Sequence, residues 1–153
     1  MTRTLSALFL ALALLFGVAT SAGAEPIHVN ARGHVQNIGW LAWAADSQTV
    51  GTTGRSLRME AIELRGGVGM VSPHVQDIGW MPAVYGGTTA GTTGKSLRLE
   101  AIRVTSDVPG WQIECRAHVQ DIGWMPWVAD GQMCGTTGRS KRLEAVQLRL
   151  THT

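Results

Sequence analysis

The two phenylalanines of the 153-residue chain both lie in its first 24 residues, and the rest of the chain has no phenylalanine and a single tyrosine, Tyr85. Its aromatic surface therefore depends on six tryptophans. The chain also lacks a strong excess of charge of either sign, because 13 basic and 11 acidic residues leave a formal net charge of +2. Proteins that bind nucleic acid generally carry a basic surplus. We therefore predict no nucleic-acid partner.

Long apolar runs are also missing after Ala24, and the one such run lies at the N-terminus. Residues 1–24 combine Arg3, an apolar stretch and small residues that end at Ala24. This is the plan of a secretory signal peptide, and the stretch is short for a membrane span; a retained N-terminal anchor is the alternative. We predict a secreted or surface-associated extracellular protein that begins at Glu25, has no membrane span after signal removal, and forms one domain over residues 25–153.

The rest of the chain consists of three copies of one unit, offset by 40 and then 44 positions. Each copy contains HVQ-(N/D)-IGW, then GTTG, then a Leu/Met-Glu-Ala trio. In every copy the histidine and the first glycine are 17 positions apart, and the histidine and the glutamate 26. Such a fixed period marks a repeated supersecondary unit. The copies cover about residues 27–65, 67–104 and 111–150, and we call them repeats 1, 2 and 3.

The residues within a repeat alternate with the period of a β-strand. Apolar and polar residues alternate between Trp111 and Val119, which predicts one buried face and one wet face. Asp130-Gly131 is suited to a tight turn and predicts a hairpin between the flanking segments. We therefore predict an all-β, pseudo-threefold domain of three four-stranded repeats that resembles a β-trefoil, with a β-prism as the alternative.

Only two cysteines are present, and both fall in repeat 3. Cys115 and Cys134 occupy positions at which the other repeats have apolar residues. Two thiols that occur together at strand-like positions of an exported chain favour a disulfide between neighbouring strands. Two separate buried thiols are the alternative, and a catalytic cysteine is less favoured because no other repeat has a thiol.

Several residues recur in all three repeats, and we predict that they serve the fold. The tryptophan of the IGW motif is expected in the packed core, because an indole buries a large area. The glutamate is expected to be buried against an arginine, a histidine or the GTTG amides. These predicted structural residues are Trp40, Trp80, Trp124, Glu60, Glu100 and Glu144.

The recurring histidines and glutamates could also serve acid–base chemistry, or three histidines could meet at zinc on a threefold axis. A catalytic constellation is normally single, however, and a wet-face strand residue does not usually lie on the axis. We therefore predict a non-enzymatic protein without catalytic residues, metal or cofactor. An extracellular hydrolase is disfavoured because the sequence has no singular acid pair.

The positions at which repeat 2 differs from the other two repeats are candidates for ligand binding. Repeat 2 has Ala83, Gly86 and Thr88 where the others have tryptophan, aspartate and glutamine. A binding site can be lost from one repeat without harm to the fold, and an indole beside a carboxylate and an amide suits a sugar. Alternatively, the tryptophans cap the core and the aspartates form the turn. The candidate ligand-binding residues are Trp43, Asp46, Gln48, Trp127, Asp130 and Gln132.

The combined pattern of HVQxIGW, GTTG and RLEA resembles the clostridial hydrophobic repeat with a tryptophan, the ChW repeat. Three copies would cover nearly all of the chain after Ala24. Repeat 3 departs from the other copies at Lys141, where they have leucine. The resemblance implies an exported or surface-associated protein with a part in sugar binding or adhesion. We therefore predict a secreted module that binds a glycan or a cell-surface polymer, with a protein-binding adhesion or structural module as the alternative.

Overall fold

A computed structural model describes residues 27–153. The predicted signal peptide and the predicted start at Glu25 lie outside the described residues. Within residues 27–153 the regular secondary structure is entirely β. This part of the chain accordingly has no helix that is long and apolar enough to cross a membrane.

Each repeat contributes two long strands and two or three short ones. Repeat 1 contains β1 (Asn30–Val35), β2 (Gly39–Trp40), β3 (Val50–Gly51) and β4 (Met59–Arg65). Repeat 2 contains β5 (Val68–Val75), β6 (Gly79–Trp80), β7 (Val84–Tyr85), β8 (Ala90–Gly91) and β9 (Leu99–Ser106). Repeat 3 contains β10 (Trp111–Val119), β11 (Gly123–Trp124), β12 (Cys134–Gly135) and β13 (Leu143–His152). The predicted all-β class and three-repeat organisation are confirmed, and repeat 2 has β7 as a fifth strand.

The strands form three antiparallel sheets, and a neighbouring repeat completes each of them. Sheet 1 has the order β2-β1-β4-β8, and sheet 3 the order β11-β10-β13-β3. Sheet 2 has the order β6-β5-β9-β12, with β7 also paired to β5. The fourth strand always comes from the next repeat along the chain. Repeat 1 supplies the fourth strand of sheet 3, so the three repeats form a closed ring. The sheets form no closed barrel within the described residues, an arrangement closer to the prism alternative than to a trefoil built on a barrel.

The short strand that each repeat adds to the sheet of its neighbour depends on the first glycine of GTTG. This glycine has φ between +108° and +116° in all three repeats, a backbone conformation that favours glycine. A Cβ on Gly91 would lie only 2.6 Å from the carbonyl oxygen of Glu60. The next amide, of Thr92, donates a hydrogen bond to that same oxygen at 3.0 Å. GTTG is therefore the motif by which one repeat docks onto the second long strand of its neighbour.

One apolar core lies on the inner faces of the sheets. Every second residue of β1 is buried, as is every second residue of β10 from Ile113 onward, which agrees with the alternation in the sequence. The largest fully buried side chains are Met59, Ile62, Leu64, Leu99, Ile102, Ile113 and Leu143. Aliphatic and thioether side chains thus fill the interior.

The recurring tryptophans do not lie in this core, contrary to the prediction. Trp80 and Trp124 are each 37% exposed, and Trp40 is half-buried. Trp40 pairs directly with the half-buried His34 across β1 and β2. Because directly paired residues share a face of a sheet, the tryptophans lie beside the histidines on the outer face.

The predicted hairpin around Asp130 is wrong in its pairing, although the turn itself forms. Val128, before the turn, forms a bridge with Cys115 of its own repeat. Cys134, after the turn, instead pairs with Ile102 of repeat 2. The segment after the turn therefore belongs to the sheet of repeat 2, and the segment before the turn belongs to the sheet of its own repeat.

The predicted disulfide between Cys115 and Cys134 is confirmed, with Cα atoms 6.0 Å apart. Cys115 belongs to sheet 3 and Cys134 to sheet 2. The bond therefore ties two sheets together across the core. A loop of this length contributes about 3 kcal/mol by restricting the unfolded chain.

Candidate functional site

A buried cluster of one glutamate, one arginine and one histidine occurs in every repeat. In repeat 2, Glu100 is only 6% exposed. Its Oε1 accepts hydrogen bonds from Nε and Nη2 of Arg98 at 3.0 and 2.7 Å, and its Oε2 lies 3.1 Å from Nδ1 of His74. The same histidine–glutamate contact measures 3.1 Å at Glu60 and 3.0 Å at Glu144. Each glutamate is therefore paired with a half-buried arginine and a half-buried histidine, two of the partners that its predicted structural role calls for.

The histidine of each cluster connects it to the outer face. The rings of His34 and Trp40 meet edge to face, with centroids 5.3 Å apart and planes at 80°. The matching values are 5.2 Å and 79° in repeat 2, and 5.3 Å and 78° in repeat 3. No three histidine, cysteine, aspartate or glutamate residues within residues 27–153 are arranged to hold a metal ion.

An arginine guanidinium lies over the recurring tryptophan of every repeat, which the sequence reasoning missed. The distances from Cζ to the ring centroid are 4.8 Å for Arg32 and Trp40, 4.3 Å for Arg103 and Trp80, and 5.0 Å for Arg116 and Trp124. Repeats 1 and 3 place this arginine on the first long strand, whereas repeat 2 has Ser72 there and supplies the arginine from β9. The contact is thus retained although its source changes, and that change of strand hid the pattern in the sequence.

A second tryptophan extends this contact in repeats 1 and 3. Arg32 lies 4.9 Å from the ring centroid of Trp43 as well as over Trp40, and Arg65 lies 4.0 Å from that of Trp43. In repeat 3 the matching distances to Trp127 are 4.9 Å for Arg116 and 4.2 Å for Arg149. We call these groups the Trp–Arg arrays. Array 1 comprises Trp40, Arg32, Trp43 and Arg65, and array 3 comprises Trp124, Arg116, Trp127 and Arg149.

The central arginine of each array is fixed by a partner on the adjacent strand. Arg32 contacts Glu63 through Nε and Nη2 at 2.8 and 2.7 Å, and Arg116 donates to Gln147 at 2.7 Å. Burial alone would raise the pKa of Glu63, but hydrogen bonds from Thr89 and Arg32 hold that pKa below its ordinary value. Glu63 therefore stays ionised at neutral pH and anchors Arg32 in array 1.

The predicted aspartates lie at the turns, where backbone amides bind them. Asp46 accepts a hydrogen bond from the Val29 amide at 2.8 Å, and its other oxygen lies 2.8 Å from Nδ1 of His28. Asp130 accepts hydrogen bonds from the amides of Ser106 and Ile113. These bonds support the alternative in which the aspartates shape the turn.

The predicted glutamines lie in the same turns. Gln48 accepts a hydrogen bond from the Ala45 amide at 3.0 Å, and Gln132 accepts a longer one from the Ala129 amide at 3.4 Å. Each glutamine uses its carbonyl oxygen in this bond, so its NH2 group remains available as a donor. Of the candidate residues, only the two tryptophans belong to the arrays.

Repeat 2 closes the corresponding turn without a side chain. The Gly86 amide donates to the carbonyl oxygen of Gly69 at 3.2 Å, next to the pairing of β7 with β5. A Cβ on Gly86 would lie 2.6 Å from the Val68 carbonyl oxygen. Main-chain pairing thus replaces the aspartate, and the fold itself explains this difference between the repeats. The fold does not explain why repeat 2 has Ala83 where the others have a tryptophan.

The residues that the structure describes form no pocket. The family model described as clostridial hydrophobic W, ChW, matches residues 34–65, 74–105 and 118–152. Comparisons with the curated proteins and with the solved structures gave no match. Each matched segment begins at a recurring histidine and ends in the second long strand of its repeat. Since these segments make up more than half of the chain, the protein belongs to the clostridial hydrophobic W family, with three ChW repeats.

Proposed function

We propose that this protein is an exported, non-enzymatic module that binds carbohydrate at a cell surface or in an extracellular polymer. The observation that carries the proposal is the presence of two equivalent Trp–Arg arrays, on sheets 1 and 3. Their tryptophans, Trp43 and Trp127, are half-buried and keep part of their surface open to ligand.

The chemistry of such an array suits a sugar. A guanidinium that stacks on an indole covers one of its faces, while those in-plane N–H donors that are not bound by Glu63, Gln147 or Glu114 remain free. These donors have a fixed planar geometry, so they can hydrogen-bond adjacent hydroxyl groups with little loss of side-chain freedom. The exposed part of the indole offers apolar surface to the C–H groups of a pyranose.

The shape of the surface favours a polymer over a small molecule. Small-molecule sites are usually concave and enclose most of their ligand, whereas the arrays lie on the outer faces of sheets. Two arrays on one molecule can also engage one polymer together. The second contact is then intramolecular and raises the avidity well above the affinity of a single site.

Two observations support the non-enzymatic and extracellular parts of the proposal. The buried glutamates, such as Glu100, are bound by arginine and lie beside histidine in three equivalent clusters, which is the pattern of a fold requirement. The disulfide between Cys115 and Cys134 is of a kind that persists mainly in oxidising compartments.

A glycan array tests this proposal directly. Protein secreted from an expressing host is applied as wild type, as the Trp43→Ala, Trp127→Ala double variant, and as Tyr85→Ala. Tyr85 is 74% exposed in repeat 2, so its variant controls for loss of an exposed aromatic ring outside the arrays. We expect the wild type and Tyr85→Ala to bind the same glycans and the folded double variant to bind none. Unchanged binding by the double variant would reject the arrays as the site.

The alternative, a protein-binding adhesion module, would use apolar side chains that the surface exposes. The isoleucine of the IGW motif is exposed in every repeat, at 42% for Ile38, 49% for Ile78 and 42% for Ile122. Exposed apolar residues can mark protein contacts when they lie together. A triple serine variant at these positions separates the two functions. Loss of adhesion to a protein-coated surface with glycan binding intact would favour the protein-binding module.

A further inference from the structure

The two Trp–Arg arrays place their one carboxylate at different cross-strand positions. Array 1 has Glu63 opposite the central Arg32, where array 3 has the uncharged Gln147 opposite Arg116. Arg116 is half-buried and donates a hydrogen bond to Gln147, so the arrays differ chiefly at the outer arginine.

In array 3, Arg149 pairs across the sheet with Glu114, and their side chains form an ion pair at 2.7 Å. In array 1, the equivalent Arg65 pairs across the sheet with Asn30, which carries no charge. Array 3 thus has an internal counterion for its outer arginine, and array 1 has an amide in that place.

The outer arginine of array 1 is exposed and lacks a carboxylate partner throughout residues 27–153. Two other carboxylates of repeat 1 are already bound. Asp46 is held by His28 and the Val29 amide, and Glu63 is held by Arg32 and Thr89. Among residues 27–153, no carboxylate therefore neutralises the positive charge of Arg65.

The position of Arg65 over Trp43 favours recognition of an anion. The guanidinium of Arg65 lies over the indole of Trp43, with its Cζ 4.0 Å from the ring centroid, and this contact reduces the side-chain freedom that binding would otherwise remove. A planar guanidinium with free in-plane donors matches a carboxylate or a phosphate through two parallel hydrogen bonds. Charge-assisted hydrogen bonds of this kind are stronger than those to neutral hydroxyl groups.

We propose that array 1 binds an anionic group of a glycan, a carboxylate or a phosphate, through its outer arginine Arg65, and that the outer arginine of array 3 is closed to such a group because Glu114 occupies the equivalent place. This proposal rests on the proposed carbohydrate binding and specifies the class of sugar that each array takes. One protein would thereby hold an acidic and a neutral segment of the same polymer at once.

Reciprocal exchange of the cross-strand residues tests the proposal. Asn30→Glu places a carboxylate opposite Arg65, as in repeat 3, and Glu114→Asn removes the one opposite Arg149. Both positions are partly exposed strand positions, and equal melting temperatures establish that each variant is folded. The probes are trigalacturonate with its methyl ester, and maltotriose phosphate with maltotriose, titrated by calorimetry at low and at moderate salt.

We expect wild type to bind one acidic trisaccharide per molecule, with an affinity that falls as salt is added. Asn30→Glu should weaken that binding about tenfold, as expected for the loss of one charged contact. Binding of the neutral probes, the methyl ester and maltotriose, should stay unchanged. Glu114→Asn should add a second acidic site. The carboxylate and phosphate arms identify which anion is preferred.

The outcomes separate the two proposals. If acidic and neutral probes bind equally and neither exchange alters the titration, the charge assignment is overturned while carbohydrate binding stands. If the wild type binds no glycan in these titrations or on the array, the proposed function fails and this inference fails with it.

Discussion

The amide of Thr52 in repeat 1 donates a hydrogen bond to the carbonyl oxygen of Glu144 in repeat 3 at 3.0 Å. The same bond joins Thr92 to Glu60 and Thr136 to Glu100. These three bonds close a ring in which every repeat completes the sheet of its neighbour. The glutamate that accepts the backbone bond also carries the buried carboxylate, so one residue links the ring to the side-chain cluster.

Because of this ring, we expect alanine substitutions at the two glycines of GTTG to lower the free energy of unfolding by different amounts. A Cβ at Gly51 would collide with the backbone of Glu144 and Ala145, whereas a Cβ at Gly54 would meet no atom within 4 Å. Both residues have positive φ, +108° at Gly51 and +69° at Gly54. Gly54→Ala therefore measures the cost of a side chain at positive φ without a collision, about 1 to 2 kcal/mol. We expect Gly51→Ala to lower the free energy of unfolding by more than about 3 kcal/mol in urea titrations. Equal losses for the two variants would contradict the docking role of the first glycine.

The buried cluster of repeat 2 predicts a loss of stability without a loss of binding. Glu100→Ala leaves Arg98 and His74 without their carboxylate, and it should lower the free energy of unfolding by about 1 to 3 kcal/mol. The exposed Asp107 is the control, because Asp107→Ala removes a carboxylate at no buried site. Glycan affinity per folded molecule should stay the same, since repeat 2 has no Trp–Arg array. A variant as stable as wild type would show that the cluster does not support the fold.

The disulfide can be removed without a change in the character of the core. Cys115→Ala with Cys134→Val gives repeat 3 the residues that repeat 1 has at these places, Ala31 and Val50. We expect the free energy of unfolding to fall by up to about 3 kcal/mol, the entropic contribution of a loop of this length. Reduction of wild-type protein should add the mass of two hydrogens. An exported protein with two free thiols would refute the assignment.

The turn of repeat 2 predicts that an aspartate there is harmful. Gly86→Asp forces a Cβ against the Val68 carbonyl and breaks the close approach of β7 to β5. Its melting temperature should fall clearly below that of Thr88→Gln, which changes an exposed neighbour in the same turn. If Gly86→Asp has the same melting temperature as wild type, the main-chain explanation for the difference between the repeats is wrong.

The N-terminus predicted from the sequence is open to a direct measurement. Protein recovered from the medium should begin at Glu25, because the small residues before it match a signal-peptide cleavage site. N-terminal sequencing of this material checks the position. A secreted chain that begins at Met1 would exclude cleavage.

What could be predicted from the sequence was local or repeated. The alternation along β10 identifies its buried face because the side-chain period of a strand is fixed. Glu100 could be assigned to a buried cluster because its two counterparts recur at the same spacing. The pairing of Cys115 with Cys134 followed from their joint occurrence in one repeat and the predicted export.

The features that could not be predicted depend on pairing between repeats or on contacts from different strands. A turn at Asp130 favours a hairpin locally, but the sequence does not reveal that Cys134 pairs with repeat 2. The apolar character of Trp80 suggested burial, whereas its two-residue strand places it on the outer face beside a histidine. Arg103 was missed because it lies on the second long strand of repeat 2, whereas the arginine that makes the same contact in repeats 1 and 3 lies on the first long strand.

The central claim, that repeats 1 and 3 each carry one sugar-binding array, is tested most directly by a single calorimetric titration. Trp43→Ala is titrated with a short neutral oligosaccharide identified on the glycan array, beside wild type. We expect two binding sites per molecule in wild type and one in the variant, at the affinity of the site that remains. Two sites in the folded variant, or one site already in wild type, would contradict the account.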